Sequence, residues 1–224
     1  MGSRRTNRGT YEPRTPTRAT LQSLEESAQT SGITCRFTTE PDRVRRLAEL
    51  AIQGYRIELG DAAAWGESAA AMKVGAPAVA NDPSGIAMLG TEVWFGRQVG
   101  MLNTEALRRT DCIAAKRAIS NSTEAANSTR AWAWLISEDN SRRSQLAAGR
   151  AYVRLDLQAA RSGLAIHPNS QVLQEFSAMD AAYAAFHREV QVDAPARVQM
   201  FARLGYAPRP DPAPRRPLRR VVRT

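Results

Sequence analysis

Histidine, lysine and cysteine are nearly absent: the 224 residues contain two of each. Cys35 and Cys112 form no C-x-x-C pair, so neither a zinc ribbon nor a disulfide framework is signalled, and a reducing, cytoplasmic setting is the expectation. His167 and His187 are accompanied by no G-x-S-x-G, H-E-x-x-H, Walker A or G-x-G-x-x-G pattern that would organise a nucleophile, a zinc ion or a nucleotide. The sequence places His167-Pro168 at a turn between helices and His187 on a solvated helix face. Acid–base chemistry from the protein's own side chains is therefore not expected, and a cofactor would have to carry any reaction. No apolar run reaches the roughly 18 residues of a membrane-spanning helix. Arg4-Arg5 suggests a twin-arginine export signal, but Thr6 to Arg18 is polar and contains no apolar segment to follow it. Internal repeats are absent.

What remains is a folded composition, with 43% hydrophobic and 24% charged residues, long enough for one domain with its own core. The basic excess is almost all arginine, 29 of the 31 Lys+Arg, and it is concentrated at the ends. Residues 1–18 carry +4 and residues 203–224 carry +6, whereas everything between them sums to −1. Arginine presents a permanently charged planar fork suited to phosphate oxygens, so two such ends meeting in the fold would form an anion site. Apart from them they would be sticky tails. Five prolines between Pro208 and Pro217 forbid helix and favour an extended arm, giving a division into residues 1–206 as a domain and 207–224 as an arm.

Periodicity supplies the elements between these ends. Thr17 or Thr20 can cap a helix carrying Leu21, Leu24 and Ala28, and Ile33, Cys35 and Phe37 alternate as a strand. Pro41-Asp42 opens a second helix, and Asp61 to Met72 reads as a third. Val74 to Asn103 is rich in Gly and Pro and reads as a partly irregular lid or subunit-contact segment. Ala131 to Ser137 is a buried strand with Trp132 and Trp134 on one face. Ser141 then caps a long helix in which Leu146, Val153, Leu157, Ala160 and Leu164 recur at near-heptad spacing and are expected to face the core. A helix from about Gln171 to Arg188 and a strand from Val198 to Leu204 complete the pattern. Such an alternation implies an α+β sandwich with a small central sheet.

Three segments then carry a family resemblance. Ser3-Arg4-Arg5-Thr6-Asn7-Arg8 resembles the R-R-S/T-x-R opening of the flavin-dependent nitroreductases. Ala148-Gly149-Arg150-Ala151-Tyr152 through Ala160-Arg161-Ser162-Gly163-Leu164-Ala165 is similar to that family's central helix. Phe201-Ala202-Arg203-Leu204-Gly205-Tyr206, followed by Pro214-Arg215-Arg216-Pro217-Leu218 and Val221-Val222, resembles its closing strand and arm. The likeness is nearest to the Acg-like NAD(P)H nitroreductases, of whose common two-half arrangement this chain resembles one half. The resemblance implies a nitroreductase-like α+β sandwich with a central antiparallel sheet, FMN as cofactor, and NAD(P)H as co-substrate. It also implies a homodimer with FMN at the subunit interface, and hydride transfer through flavin N5 to a nitroaromatic, quinone or related acceptor. Thr6, with Arg215 or Arg216 from the arm, would hold the FMN phosphate, Arg4 and Arg8 would pair with the phosphate or with polar edges of the flavin, and Arg5 would either join them or point away. Gly163, Leu164 and Ala165 would run beside the flavin, although Gly163 reads equally well as a plain helix terminator. Trp65, Trp94 and Phe95 suit either a lid or ordinary core and contact positions.

The family's P-S-x-x-N-x-Q-P-W segment after the first helix is replaced here by Ser27-Ala28-Gln29-Thr30-Ser31-Gly32-Ile33. That substitution keeps open a catalytically weak, flavin-sequestering protein as the alternative. The arginine-rich ends would also attract a polyanion or nucleic acid, but no RNA-binding aromatic signature, recognition helix or zinc finger accompanies them, so nucleic acid is not the expected partner.

Overall fold

A computed structural model describes residues 4–100, 102, 104–217 and 221–222. In chain order the elements are α1 (Arg18–Ala28), β1 (Ile33–Thr38), α2 (Pro41–Gly60), α3 (Ala62–Ala70), β2 (Met72–Val74), α4 (Ala76–Asn81), β3 (Ile86–Met88), α5 (Thr91–Gln98), α6 (Thr104–Leu107), α7 (Ile113–Asn127), β4 (Ala131–Ser137), α8 (Arg142–Arg161), β5 (Ala165–Pro168), α9 (Asp180–Val190) and β6 (Arg197–Gly205). They form two compact units, one from the described residues of 1–57 and 120–210, the other from those of 58–119 and 211–224.

The first unit is built on an antiparallel sheet in the order β1-β4-β6-β5. Alternation in β4 divides its side chains between two cores. Ala131, Ala133 and Leu135 face a layer that includes Leu24 and Ala28 of α1 and Ala148, Ala151, Leu155 and Ala159 of α8. Trp132 and Trp134 face the other way, among Leu47, Ala48 and Ala51 of α2 and Ala182, Phe186 and Val190 of α9. Trp132 stacks on Phe201 with ring centroids 4.3 Å apart, and its indole N–H donates to the Val44 carbonyl at 3.1 Å. The result is a helix–sheet–helix sandwich, as the residue pattern implied.

Several local expectations are corrected. In α8 the near-heptad stripe does not form the core face: Leu146 is 55% and Val153 41% exposed, and of the stripe only Leu164, just past the helix end, is buried in the core. The buried face is Ala148, Ala151, Leu155 and Ala159, whose three alanines let the helix lie close on the sheet. His167-Pro168 belongs to strand β5, with His167 opposite Arg203 of β6, rather than to a turn between helices. The helix expected from Gln171 starts only at Asp180. Two single 3-10 turns, Gln171–Leu173 and Ser177–Met179, precede it. Buried Val172 lies so close to α2 that a Cβ on Gly54 would come within 2.8 Å of its backbone nitrogen. His187 is half-buried, its Nδ1 2.9 Å from the Tyr183 carbonyl oxygen and its ring stacked on Tyr183.

The second unit replaces the expected irregular stretch with short elements. The third helix stops at Ala70, capped at its start by Asp61, and Met72 already pairs with Ile86 in the parallel β2–β3 ladder. Trp65 is buried there and its indole N–H donates to the Leu107 carbonyl at 2.7 Å, which makes it a core residue. Trp94 and Phe95, on α5, are 63% and 61% exposed. Asn103, the end of the expected irregular stretch, lies outside the described residues.

Candidate functional site

The N-terminal segment of the first unit enters the sheet at its β5 edge. Thr6 makes an isolated parallel bridge with Ile166, and the Asn7 amide donates to the Ile166 carbonyl at 3.1 Å. Asn7 spends its side chain on shape: Oδ1 accepts from the Gly9 amide at 2.9 Å, and Nδ2 donates to the Pro208 carbonyl at 2.9 Å. That second bond ties the start of the chain to the Pro-rich segment that follows β6. Further along, the Glu12 amide donates to the Tyr206 carbonyl at 2.8 Å, and Arg14 lies over the Tyr206 ring at 3.8 Å.

Arg203 locks this arrangement from within. Its side chain is fully buried and donates to the carbonyls of Ala125 (2.5 Å), Gly9 (2.6 Å) and Asn7 (3.2 Å) and to His167 Nδ1 (3.0 Å). The guanidinium also lies over the Tyr11 ring at 4.2 Å. Burial lowers its proton affinity, and burial together with the Arg203 and Arg8 charges pushes His167 down to about 3, so the imidazole is neutral and acts as acceptor. Counting Arg203 with the basic C-terminal end is therefore corrected: a guanidinium enclosed by carbonyls is a structural clamp whose donors are already engaged.

The last turn of α8 supplies the opposite wall. Gly163 adopts φ +68° and closes the helix with the two bonds of a Schellman motif, Leu164 N–H to the Ala159 carbonyl (2.8 Å) and Gly163 N–H to the Ala160 carbonyl (3.4 Å). Between these walls lies a cleft of about 140 Å³ lined by Arg5, Asn7, Asp156, Ala160, Gly163, Leu164, Ala165, Ala207, Arg209 and Pro210. The structure thus gathers four sequence-selected residues, Arg5, Gly163, Leu164 and Ala165. Arg4 touches the cleft through its lining residue Asp156, at 2.6 Å, while Thr6 and Arg8 are exposed beside it. Arg215 and Arg216 belong to the second unit, where Arg216 pairs with Asp82 at 3.6 Å. Ser3 and Leu218 of the matched motifs lie outside the described residues.

Asp156 and Arg209 were not singled out from the sequence. Asp156 had one signal, a lone acid flanked by Leu155 and Leu157. Arg209, held between Pro208 and Pro210, had only its charge. Asp156 is nearly fully buried at 3% side-chain exposure, and burial raises its pKa against the opposing pull of Arg4.

No family model and no curated protein matches the chain. Solved structures do. An FMN- and NADPH-dependent nitroreductase, NfnB of Sphigopyxis sp. strain HMH, superposes with a TM-score of 0.59 at 19% identity, over 100% of this chain and 96% of that one. A nitroreductase with bound FMN from Desulfitobacterium hafniense gives 0.56 at 9% identity, over 99% and 94%. A nitroreductase-like family protein from Bacillus cereus gives 0.55 at 13%, over 100% and 92%. This chain has the nitroreductase-like fold. Within that fold the sandwich and its antiparallel sheet stand as expected from the sequence, and the cleft sits where the opening segment, the end of α8 and the start of the closing arm come together. Among the described residues no group of His, Cys, Asp and Glu is arranged to hold a metal ion, and no helix is long and apolar enough to cross a membrane.

Proposed function

We propose that this protein is an FMN-dependent NAD(P)H oxidoreductase. The observation that carries the reading is the cleft itself, with arginines from the opening segment and the closing arm on a wall finished by an open glycine turn, on a fold whose solved neighbours include FMN-bound nitroreductases. The residues present fit the phosphate end of such a cofactor. Arg5 and Arg209 contribute positive charge, and no atom stands within 4 Å of where a Cβ on Gly163 would be. FMN, when bound, supplies hydride and electron transfer. The chain's residues would anchor the phosphate, hold the opening segment against β5, and exclude water along the wall formed by Leu164 and Ala165.

A complete site for a molecule of that size needs roughly 300–1,000 Å³, several times the volume of this cleft. We infer that a second copy completes it, as a homodimer. The exposed stripe of Leu146 and Val153 on α8 supports self-association. Arg215 and Arg216 remain candidate phosphate ligands, nitroaromatics and quinones are the candidate acceptors, and the free thiols Cys35 and Cys112 suit a cytoplasmic setting.

One observation favours the flavin-sequestering alternative. After α1, Thr30 bridges Ile33 around Gly32 at φ +72°, so the chain turns directly into β1 and leaves no lining segment there. The visible spectrum of purified protein, followed by heat release of the chromophore and anaerobic NADPH addition, tests both readings. Released FMN that is bleached by NADPH supports the reductase; released FMN that is not bleached supports sequestration. A colourless protein that takes up no added FMN refutes both.

A further inference from the structure

The stripe of α8 that the sheet leaves uncovered has an order of its own. Leu146 and Val153 are exposed, Leu157 and Ala160 are partly exposed, and Gly149 lies among them on the same outward side. A glycine inside a 20-residue helix weakens it relative to alanine. Nothing in its own chain accounts for Gly149: a Cβ there would meet no atom within 4 Å, and its backbone is not in the left-handed region. Bare backbone on an apolar helix face suits the close approach of another helix.

Side-chain size along the stripe is arranged about one residue. Counted from Val153, Leu146 and Ala160 lie seven residues before and after, and Gly149 and Leu157 lie four before and after. Steps of four and seven stay on one helix face. At each step a large side chain stands on one side of Val153 and a small one on the other. A second α8 laid antiparallel, with a two-fold axis at Val153, therefore sets Leu146 on the partner's Ala160 and Leu157 on the partner's Gly149, and each contact occurs twice. Parallel stacking would oppose Leu157 to Leu157 and leave a void between two glycines. An unrelated helix would gain nothing from this symmetry, so the occupant that fits the face is a second copy of this chain.

We propose that α8 is the self-association surface of this protein, paired antiparallel about Val153, and that the pairing brings the partner's Leu146 to the edge of the cleft. Ala160 belongs to the stripe and also lines the cleft, so a side chain seated on it closes that edge. This pairing rests on the homodimer reading above, to which it gives a register and a residue contributed across the interface.

Cysteine cross-linking and light scattering on the full chain test it, in a Cys112→Ser background that leaves only the buried Cys35. Val153→Cys, on the two-fold axis, should form a disulfide-linked dimer under mild oxidation. Leu146→Cys and Ala160→Cys should each stay unlinked alone and link when the two variants are mixed. Gly149→Leu meets nothing in its own chain but overpacks the contact at two symmetric places, so it should weaken the dimer roughly a hundredfold. Should that variant not fold by circular dichroism, Gly149→Ala, which favours the helix, replaces it and should still weaken pairing about tenfold. Self-linking of Leu146→Cys or of Ala160→Cys, a dimer indifferent to the Gly149 substitution, or a wild-type protein that stays monomeric overturns the proposal. FMN uptake is scored separately on the same samples. The expected linking pattern in a protein that takes up no FMN sustains the pairing and refutes the flavin reading. Uptake without the pattern does the reverse.

Discussion

Replacing Arg203 by methionine tests whether the buried guanidinium is the clamp that shapes the site. Methionine keeps much of the apolar volume but brings no donor. It would leave the Gly9 carbonyl and His167 Nδ1 without their donors at 2.6 and 3.0 Å, while the Ala125 carbonyl would keep Ser128 Oγ at 2.8 Å and Thr129 Oγ1 at 3.3 Å. The Asn7 carbonyl would keep a long bond from the Tyr11 hydroxyl at 3.4 Å. Two newly unsatisfied, part-buried acceptors at about 1–3 kcal/mol each set the loss, and relief from burying a charged group offsets part of it. A net destabilisation of about 2 kcal/mol follows, which at a urea dependence of about 2 kcal/mol/M lowers the unfolding midpoint by about 1 M. Tryptophan fluorescence reads it, since Trp132 and Trp134 lie in the core of the same unit. Arg203→Lys, which keeps a charge but not the fork, should fall between. Trypsin should also cut the variant faster after Arg8 and Arg14, because the carbonyl anchors at Asn7 and Gly9 are released. A midpoint shift under about 0.3 M with unchanged cleavage would refute the clamp.

Acid should destabilise the fold through His167. It stays neutral in the native state down to about 3 but takes up a proton at its ordinary 6.5 when unfolded, so stability falls as pH drops from 6.5 toward 3. In His167→Gln, which keeps an acceptor for Arg203, that part of the fall should vanish from urea midpoints measured across the window; an unchanged slope would show that His167 does not titrate this way. Asp156, whose pKa burial raises, acts with the opposite sign and cancels in the comparison. Gly205→Ala would set a Cβ 2.4 Å from Cδ2 of buried Tyr11, and the overpacking cost of about 1–3 kcal/mol should lower Tm by several degrees in calorimetry. Gly163→Ala meets no neighbouring atom, so its cost of about 1 kcal/mol should come from the φ of +68° alone, and Gly163→Asn should recover part of it in the same assay.

The strands β1, β4 and β6 were legible for a physical reason, whereas β2, β3 and β5, at three or four residues, were not. Ile33, Cys35 and Phe37 in β1, and the Ala/Trp alternation in β4, are imposed by burial on two opposite faces, and no helix satisfies a two-residue period. The helices were less so. In α8 the large apolar residues suggested one face, but the sheet selected the alanines, because close approach favours small side chains over hydrophobic ones. Helix α7 went unread since Ile113–Asn127 mixes Ala, Ser, Thr and Asn with little apolar contrast. The elements between Val74 and Gln98 are too short, at three to eight residues, to establish a period.

The site was legible in its segments and misleading in its charges. The basic ends, taken by composition, invited the view that every arginine there serves one anion. Burial separates them. Arg203 is enclosed by carbonyls, Arg4 answers a carboxylate, Arg216 answers Asp82, and Arg5 and Arg209 line the cleft. No count of charge along a chain can make that division, because it depends on which guanidinium the fold removes from water and which acceptors it finds there. Asp156 illustrates the converse. A single acid between Leu155 and Leu157 disappears in a net charge of +9, yet the fold buries it in the cleft wall, where it takes Arg4 as its partner and withdraws that arginine from the anion site its charge suggested.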